Sequence, residues 1–257
     1  MFGKKTITSS EFPLIVFDAQ GTLLHSLPSI EKFLEHQLRE RNIGISADEI
    51  EGARLRTSRH FIAVAERDTN AEIRIDDWWV QILKELKIEE LTLGKRLLDS
   101  FRMGVKYAFP QLTLSVCEAL SDRGYRLAVA DDEGVELAET LRLQGVIDLF
   151  ESVQTSKDVG VTKPLAKFFT NVLEDLDVAP AQAIYVGDCY ATDIVGARRA
   201  GLSALLYDPT HRELKALHSD EEIAAKRVVS IEALRDHRRL QGVKILSRLD
   251  EMLDFCL

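Results

Sequence analysis

Cysteine is scarce in this chain of 257 residues, which has only Cys117, Cys189 and Cys256. Three thiols at unrelated spacings make neither a disulfide framework nor a CxxC or Cys/His zinc pattern with the six histidines. A chain this long buries about 70–75% of its unfolded surface and needs no such staple, so reduced thiols and a cytoplasmic setting are expected. No run of about 18 apolar residues occurs, which excludes a bilayer-spanning helix. In residues 1–11, Lys4 and Lys5 lead into Thr6-Ile7-Thr8-Ser9-Ser10 rather than the apolar core of a signal peptide. Positive charge is in deficit as well. Forty-two Asp and Glu against 33 Lys and Arg leave a net charge of −9, which repels polyanions. Nucleic acid and anionic membrane surfaces are therefore not expected partners. Internal repeats and low-complexity linkers are absent.

What the chain does have is ordinary globular composition, 46% hydrophobic and 29% charged, with a change of period along its length. Leu14, Ile15, Val16 and Phe17 form a short apolar run bounded by turn residues, which reads as a buried strand. Helical spacing then takes over through Ile30, Phe33, Leu34, Gln37 and Leu38. From Ser46 to about Tyr107 the pattern stays helical, with Trp78, Trp79, Ile82, Leu83 and Leu86 as a second stripe and no strand. After Pro110, short apolar runs alternate with helical segments. Leu127-Ala128-Val129-Ala130 is followed by a helix through Leu137 and Leu141 that Gly145 can close. Val153, a helix around 168–176, Ala183-Ile184-Tyr185-Val186 and a helix ending at Gly201 come next. An apolar run at 202–207, a charged helix from Arg212 to about Arg227, and a last strand at 243–246 with a terminal helix complete the pattern. Such alternation means βαβ units and a parallel sheet. The predicted fold class is α/β: a Rossmann-like parallel-sheet core, residues 1–23 and 110–257, with an all-helical cap inserted at 24–109. Only the segment 228–241 resists a clear reading.

Ligands of open α/β sheets bind outside the carboxyl ends of the strands, and four strand ends here carry charge. The first delivers Asp18, the second Asp131 and Asp132, the segment after the third Lys163, and the fourth Asp188 with Asp193. Each alone reads as a cap or turn residue; their joint placement reads as a site.

The arrangement resembles the haloacid dehalogenase superfamily, in particular its phosphatase-type members with a helical cap after the first strand. The motifs that carry the resemblance are Asp18-Ala19-Gln20-Gly21-Thr22-Leu23, then the run from Ser156 through Gly160-Val161 to Lys163-Pro164, then Val186-Gly187-Asp188 to Asp193 with Gly196-Ala197. The resemblance implies that Asp18 attacks phosphorus as a nucleophile and forms an aspartyl-phosphate. It also implies a Mg²⁺ held by Asp18, the backbone carbonyl of Gln20 and Asp188, with Asp193 close behind them. Lys163 would offset the charge of nucleophile and phosphate. Thr22, Asp132 and Arg59 are candidates to contact a small phosphorylated metabolite. Arg59 belongs to a cap cluster with Arg54, Arg56 and His60 that suits either an anionic substrate end or a solvated helix face.

Two positions depart from the family pattern. Gln20 stands where a second Asp serves as general acid and base; glutamine donates a hydrogen bond but shuttles no proton, a loss of about 10²–10⁴-fold in help to a poor leaving group. Dehalogenases carry Tyr at that position and phosphonate hydrolases Ala, so either activity fits less well. Asp131 aligns with a Ser/Thr that donates to the phosphoryl group. An ionised carboxylate about 4 Å from a phosphate oxygen costs on the order of 4 kcal/mol at an effective dielectric of 20. Asp131 is therefore protonated, or binds a cation, or marks a lost activity. The expectation is a Mg²⁺-dependent phosphatase with Asp18, Gln20, Lys163 and Asp131 at its catalytic centre. The alternative is a catalytically weak or silent relative acting as a ligand-binding or interaction module.

Overall fold

The computed structural model describes residues 7–132, 136–218 and 238–257. Its centre is a six-stranded parallel sheet of order β5-β4-β1-β6-β7-β8. The strands are β1 (Leu14–Phe17), β4 (Arg126–Asp131), β5 (Ser152–Thr155), β6 (Ala183–Gly187), β7 (Ser203–Tyr207) and β8 (Lys244–Leu246). All four residues of β1 are buried, because helices cover both faces of a parallel sheet and leave no wet side. Successive side chains point oppositely, so Leu14 and Val16 enter one buried cluster while Ile15 and Phe17 enter another on the opposite face.

The strand order reverses at β1, with β4 and β5 on one side and β6, β7 and β8 on the other. Phe17 pairs with Val129 of β4 and with Val186 of β6. This register brings the carboxyl ends of the three central strands level, at the switch point where a crevice opens.

Between β1 and β4 lie β2 (His25–Leu27), α1 (Ile30–Arg39), α2 (Ala47–Arg67), α3 (Ile75–Glu85), α4 (Leu91–Gly104) and β3 (Lys106–Ala108). The helices share their own buried cluster, including Leu34, Leu38, Ile50, Trp79, Leu83, Leu97 and Phe101. A capping box between Ser46 and Glu49 starts α2, satisfying backbone donors that the helix itself cannot. The expectation of no strand here is corrected. β2 and β3 pair antiparallel, His25 opposite Ala108 and Leu27 opposite Lys106, where the insert leaves and rejoins the sheet. Three-residue strands are too short to show an alternating pattern.

Beyond β3 come α5 (Gln111–Asp122), α6 (Leu137–Leu143), α7 (Ser156–Val159), α8 (Ala166–Glu174), α9 (Val195–Arg199) and α10 (Arg212–Ala216). The expected charged helix to Arg227 is described only as α10, because residues 219–237 lie outside the described residues. The unreadable segment 228–241 falls mostly there too. The expected terminal helix is a tighter 3₁₀ stretch, Leu249–Asp254. Among the described residues no helix is long and apolar enough to cross a membrane.

Close packing of α8 on α9 depends on a missing side chain at Gly196, where a Cβ would stand 2.3 Å from Phe169 Cε2 and 2.9 Å from the Pro164 carbonyl oxygen. Gly196→Ala is expected to destabilise the fold by about 1–3 kcal/mol through overpacking. The effect would be read as a lower urea midpoint at unchanged m-value.

Candidate active site

Asp18 is the first residue beyond β1, and its N–H donates to the Val186 carbonyl at 2.8 Å, which ties it to β6. The chain turns at once. Gly21 takes φ +92°, and a Cβ there would stand 2.2 Å from Asp188 Oδ2, so only glycine leaves room for that carboxylate. Asp188 follows β6 directly and leads into a π-helical turn, Tyr190–Ile194, that presents Asp193 inward. Asp131 closes β4. Lys163 follows α7, and its N–H donates to Asp132 Oδ1 at 3.0 Å.

The side chains converge on one ammonium. Lys163 Nζ donates to Asp18 Oδ1 at 2.7 Å, Asp193 Oδ1 at 2.8 Å and Asp131 Oδ1 at 3.2 Å. Tyr185 Oη lies 3.4 Å from the same nitrogen and donates to the Ala130 carbonyl at 2.8 Å. Thr22 Oγ1 donates to Asp18 Oδ2 at 3.0 Å, so each Asp18 oxygen accepts one hydrogen bond. Asp131 accepts from Gln20 N–H at 3.1 Å and Asp132 N–H at 2.7 Å in addition to Lys163. Three donors aimed at one carboxylate give Asp131 a partner set suited to an acceptor-only group. Gln20 Oε1 accepts from Tyr107 Oη at 2.8 Å, which anchors the glutamine amide to β3.

Burial, then the neighbouring Asp131, pushes the Asp18 carboxyl well above its ordinary range, and Lys163 only partly restores it. Burial and Asp193 push Asp188 up to about 7, against the pull of Arg212. Asp193 is raised by burial and held back by Lys163, and burial likewise carries Asp132 to about 7. Burial works against the Lys163 charge, yet Asp18, Asp193, Tyr185 and Asp131 outweigh it and keep its pKa well above the usual value. The site thus holds more carboxylate than one ammonium offsets.

Asp18, Asp188 and Asp193 each offer an oxygen within 4.8 Å of one another and can hold a metal ion. An all-oxygen donor set suits a hard divalent cation. The Cβ-free approach of Gly21 keeps Asp188 within reach of that position.

Asp18, Gln20, Asp131, Asp132, Lys163, Asp188 and Asp193 all line one cavity of about 360 Å³. Two expectations did not place a residue there. Thr22 is fully buried beneath Asp18 and donates to that carboxylate rather than lining the cavity. Arg59 does not line the cavity, whereas Arg54, more than one turn earlier on α2, does. Trp79 packs in the helical core of the insert while Trp78 stacks on Phe61 with centroids 4.6 Å apart, and both edge the cavity. Sequence reasoning missed Tyr107, Arg212 and Glu213. Arg212 and Glu213 follow the carboxyl end of β7, so the rule that located Asp18 and Asp188 would have found them.

A sequence model of the haloacid dehalogenase-like hydrolases matches residues 12–201. The chain belongs to this family of hydrolases. Glyceraldehyde 3-phosphate phosphatase of Methanothermobacter thermautotrophicus is 26% identical over 160 residues, 62% of this chain and 70% of that one. Ribulose-1,5-bisphosphate 5-phosphatase of Halopiger xanaduensis is 35% identical over 112 residues, 43% of this chain and 46% of that protein. The crystal structure of the HAD-hydrolase YfnB from Bacillus subtilis, bound to magnesium, aligns over 95% of this chain and 98% of its own with a TM-score of 0.59 and 17% identity, a likeness of fold.

Lys163→Met removes the ammonium that three buried carboxylates share. In metal-free protein near neutral pH this is expected to cost about 3–5 kcal/mol, the effect of breaking a buried ion pair from one side, measured by urea unfolding.

Proposed function

We propose that this chain is a magnesium-dependent phosphatase of small phosphorylated metabolites, with Asp18 as nucleophile. The observation that carries the reading is Asp18 itself: a buried carboxylate at the sheet switch point, oriented by Lys163 and Thr22, facing a cavity beside two further carboxylates. The phosphatase names of its relatives support it. In this reading residues 24–109 cap a core formed by 1–23 and 110–257, and substrate binds between them.

One Asp18 oxygen bonds to phosphorus while the ester P–O bond breaks and the leaving oxygen departs, taking its proton from solvent water to become the alcohol; a second water then cleaves the acyl phosphate, returning Asp18 and releasing phosphate. Lys163 orients Asp18 and offsets the charge of the incoming phosphate. Magnesium, when held by Asp18, Asp188, Asp193 and the backbone carbonyl of Gln20, supplies the further positive charge that lets two anions meet. Asp131 keeps Lys163 and the Gln20 backbone in register, a positioning role met by the three donors aimed at it. Gln20, anchored through Oε1 to Tyr107, offers an amide N–H₂ to the leaving oxygen and gives it no proton. Asp132 braces the Lys163 backbone. The free cysteines and the net charge of −9 support a cytoplasmic enzyme with no role on nucleic acid or membranes.

Without a proton donor at Gln20, p-nitrophenyl phosphate should turn over about 10²-fold or more faster than ethyl phosphate. Asp18→Asn should lower the rate on p-nitrophenyl phosphate by about 10³-fold or more; an unchanged rate overturns the nucleophile assignment. Cation binding to the folded state is testable without turnover. Mg²⁺ at about a hundred times its dissociation constant adds about 2.7 kcal/mol, which raises the melting temperature by about 5–10 °C for a chain of this size. Asp188→Asn should erase most of that shift in calorimetry.

A further inference from the structure

The wall that the insert gives the cavity is aromatic, and it starts at Gln20. Tyr107 of β3, which donates to the Gln20 amide at 2.8 Å, lines the cavity together with Phe101 of α4 and with Trp78 and Trp79 of α3. Both tryptophans of the chain are thus on this wall. The Trp79 and Phe101 rings lie 5.3 Å apart and Trp78 stacks on Phe61, so packed rings stand behind it. Ile75, 39% exposed, adds an aliphatic side chain. Charge on the lining is one-sided. Among the described residues eight carboxylates line the cavity against three cations, Lys163, Arg54 and Arg212. All three cations are committed: Lys163 to Asp18, Asp131 and Asp193, Arg54 to Glu31 and Glu51, Arg212 to Glu213 and Asp188. A second anionic group on a ligand would meet paired cations and a surplus of carboxylates that repel it.

We infer that the substrate is an aryl phosphate with an uncharged ring, and that the ring seats on the wall formed by Trp78 and Ile75. The inference rests on the phosphatase reading for the reaction and on the lining alone for the ring. Two independent demands meet in this class of ester. Gln20 gives the leaving oxygen no proton, so the P–O bond breaks with its electron pair on an oxygen that must be stable as an anion. A phenol ionises at about pH 10, as the tyrosine side chain does, so a phenolate departs unaided and takes its proton from water afterwards. The lining selects the rest of the molecule. A ring gains from burial and from offset or edge contact with aromatic side chains, whereas an anionic substituent finds no free cation.

Benzyl phosphate and ethyl phosphate both release an alkyl alcohol and differ by the ring, so their ratio isolates the wall. Wild-type kcat/KM is expected to favour benzyl phosphate by about 10- to 100-fold, the range for burying a ring-sized apolar group. Phenyl phosphate should exceed benzyl phosphate by about 10²-fold or more, because its leaving oxygen needs no proton. Its para-carboxy analogue has the better leaving group, yet the added charge should make it about 10-fold or more poorer. Trp78→Ala should bring the benzyl-to-ethyl ratio toward one, and Trp78→Phe should keep most of it. In protein that turns over these esters, a wild-type ratio near one, or a para-carboxy ester as good as phenyl phosphate, overturns the inference and leaves the phosphatase reading standing. Titrating tryptophan fluorescence with benzylphosphonate and ethylphosphonate, which have no ester bond to cleave, reads the ring preference without turnover. Protein that hydrolyses no ester yet prefers benzylphosphonate, and loses that preference in Trp78→Ala, retains the ring site and refutes the phosphatase reading. If Trp78→Ala does not fold, Ile75→Ser, at an exposed position, carries both measurements, and an undiminished preference overturns the inference.

Discussion

A single buried ammonium organises this molecule. Lys163 Nζ is shared by Asp18, Asp131 and Asp193, which come from three different strand ends. Carboxylates gathered in a low-dielectric crevice repel one another, and without the lysine the carboxyl ends of β1, β4 and β6 would be driven apart. The surrounding hydrogen bonds serve the same point. Asp132 fixes the Lys163 backbone, Tyr185 joins the ammonium to the Ala130 carbonyl, and Thr22 holds the second oxygen of Asp18. Even so, Asp18, Asp188 and Asp193 are all raised by burial. The polypeptide alone leaves the cluster short of positive charge, and that deficit is what a divalent cation would meet.

The parts of the fold that were legible in the sequence share one property: the chemistry is local to a strand end. Asp18 after Leu14-Ile15-Val16-Phe17 and Asp188 after Ala183-Ile184-Tyr185-Val186 need only a short apolar run to place them, because a parallel sheet puts all its carboxyl ends on one side. Lys163 sits in a loop after β5 and needed the family motif. β2 and β3 were invisible because three residues show no period. Thr22 goes to Asp18 for a physical reason: a hydroxyl four residues past Asp18 faces either the cavity or that carboxylate, and only the turn at Gly21, with φ +92°, decides between them. Arg54 and Arg59 lie on one helix, and the rotation of α2 about its axis, set by Ile50, Ala53 and Phe61 in its buried face, determines which of them reaches the cavity.

Gln20 and Asp131 look like independent departures from the family pattern, yet the structure makes them neighbours. The Gln20 N–H donates to Asp131 Oδ2 while its side chain accepts from Tyr107. An Asp at position 20 would bring a further carboxylate to a crevice where Asp131 already raises the pKa of Asp18. A neutral amide meets the Tyr107 hydroxyl without adding to the repulsion. The amide at 20 and the carboxylate at 131 are therefore mutually compatible.

Tyr107 also shows that the insert does more than roof the site. It belongs to β3, the return strand of the insert, so the position of the Gln20 amide depends on the ribbon that β3 makes with β2. A second link crosses the other side of the crevice. Ser58 of α2 donates to Glu213 Oε1 at 2.6 Å, and the other oxygen of Glu213 accepts from Tyr190 N–H at 3.1 Å, two residues past Asp188. One buried carboxylate thus joins the insert to the loop that carries a metal-ligand candidate. Movement of α2 away from the core would strip Glu213 of its Ser58 partner, leaving a buried acceptor unmet at a cost of about 1–3 kcal/mol, and would withdraw Arg54 at the same time. The same helix supplies Ser58 and Arg54, so the position of α2 sets both this link to the core and part of the polar lining of the cavity.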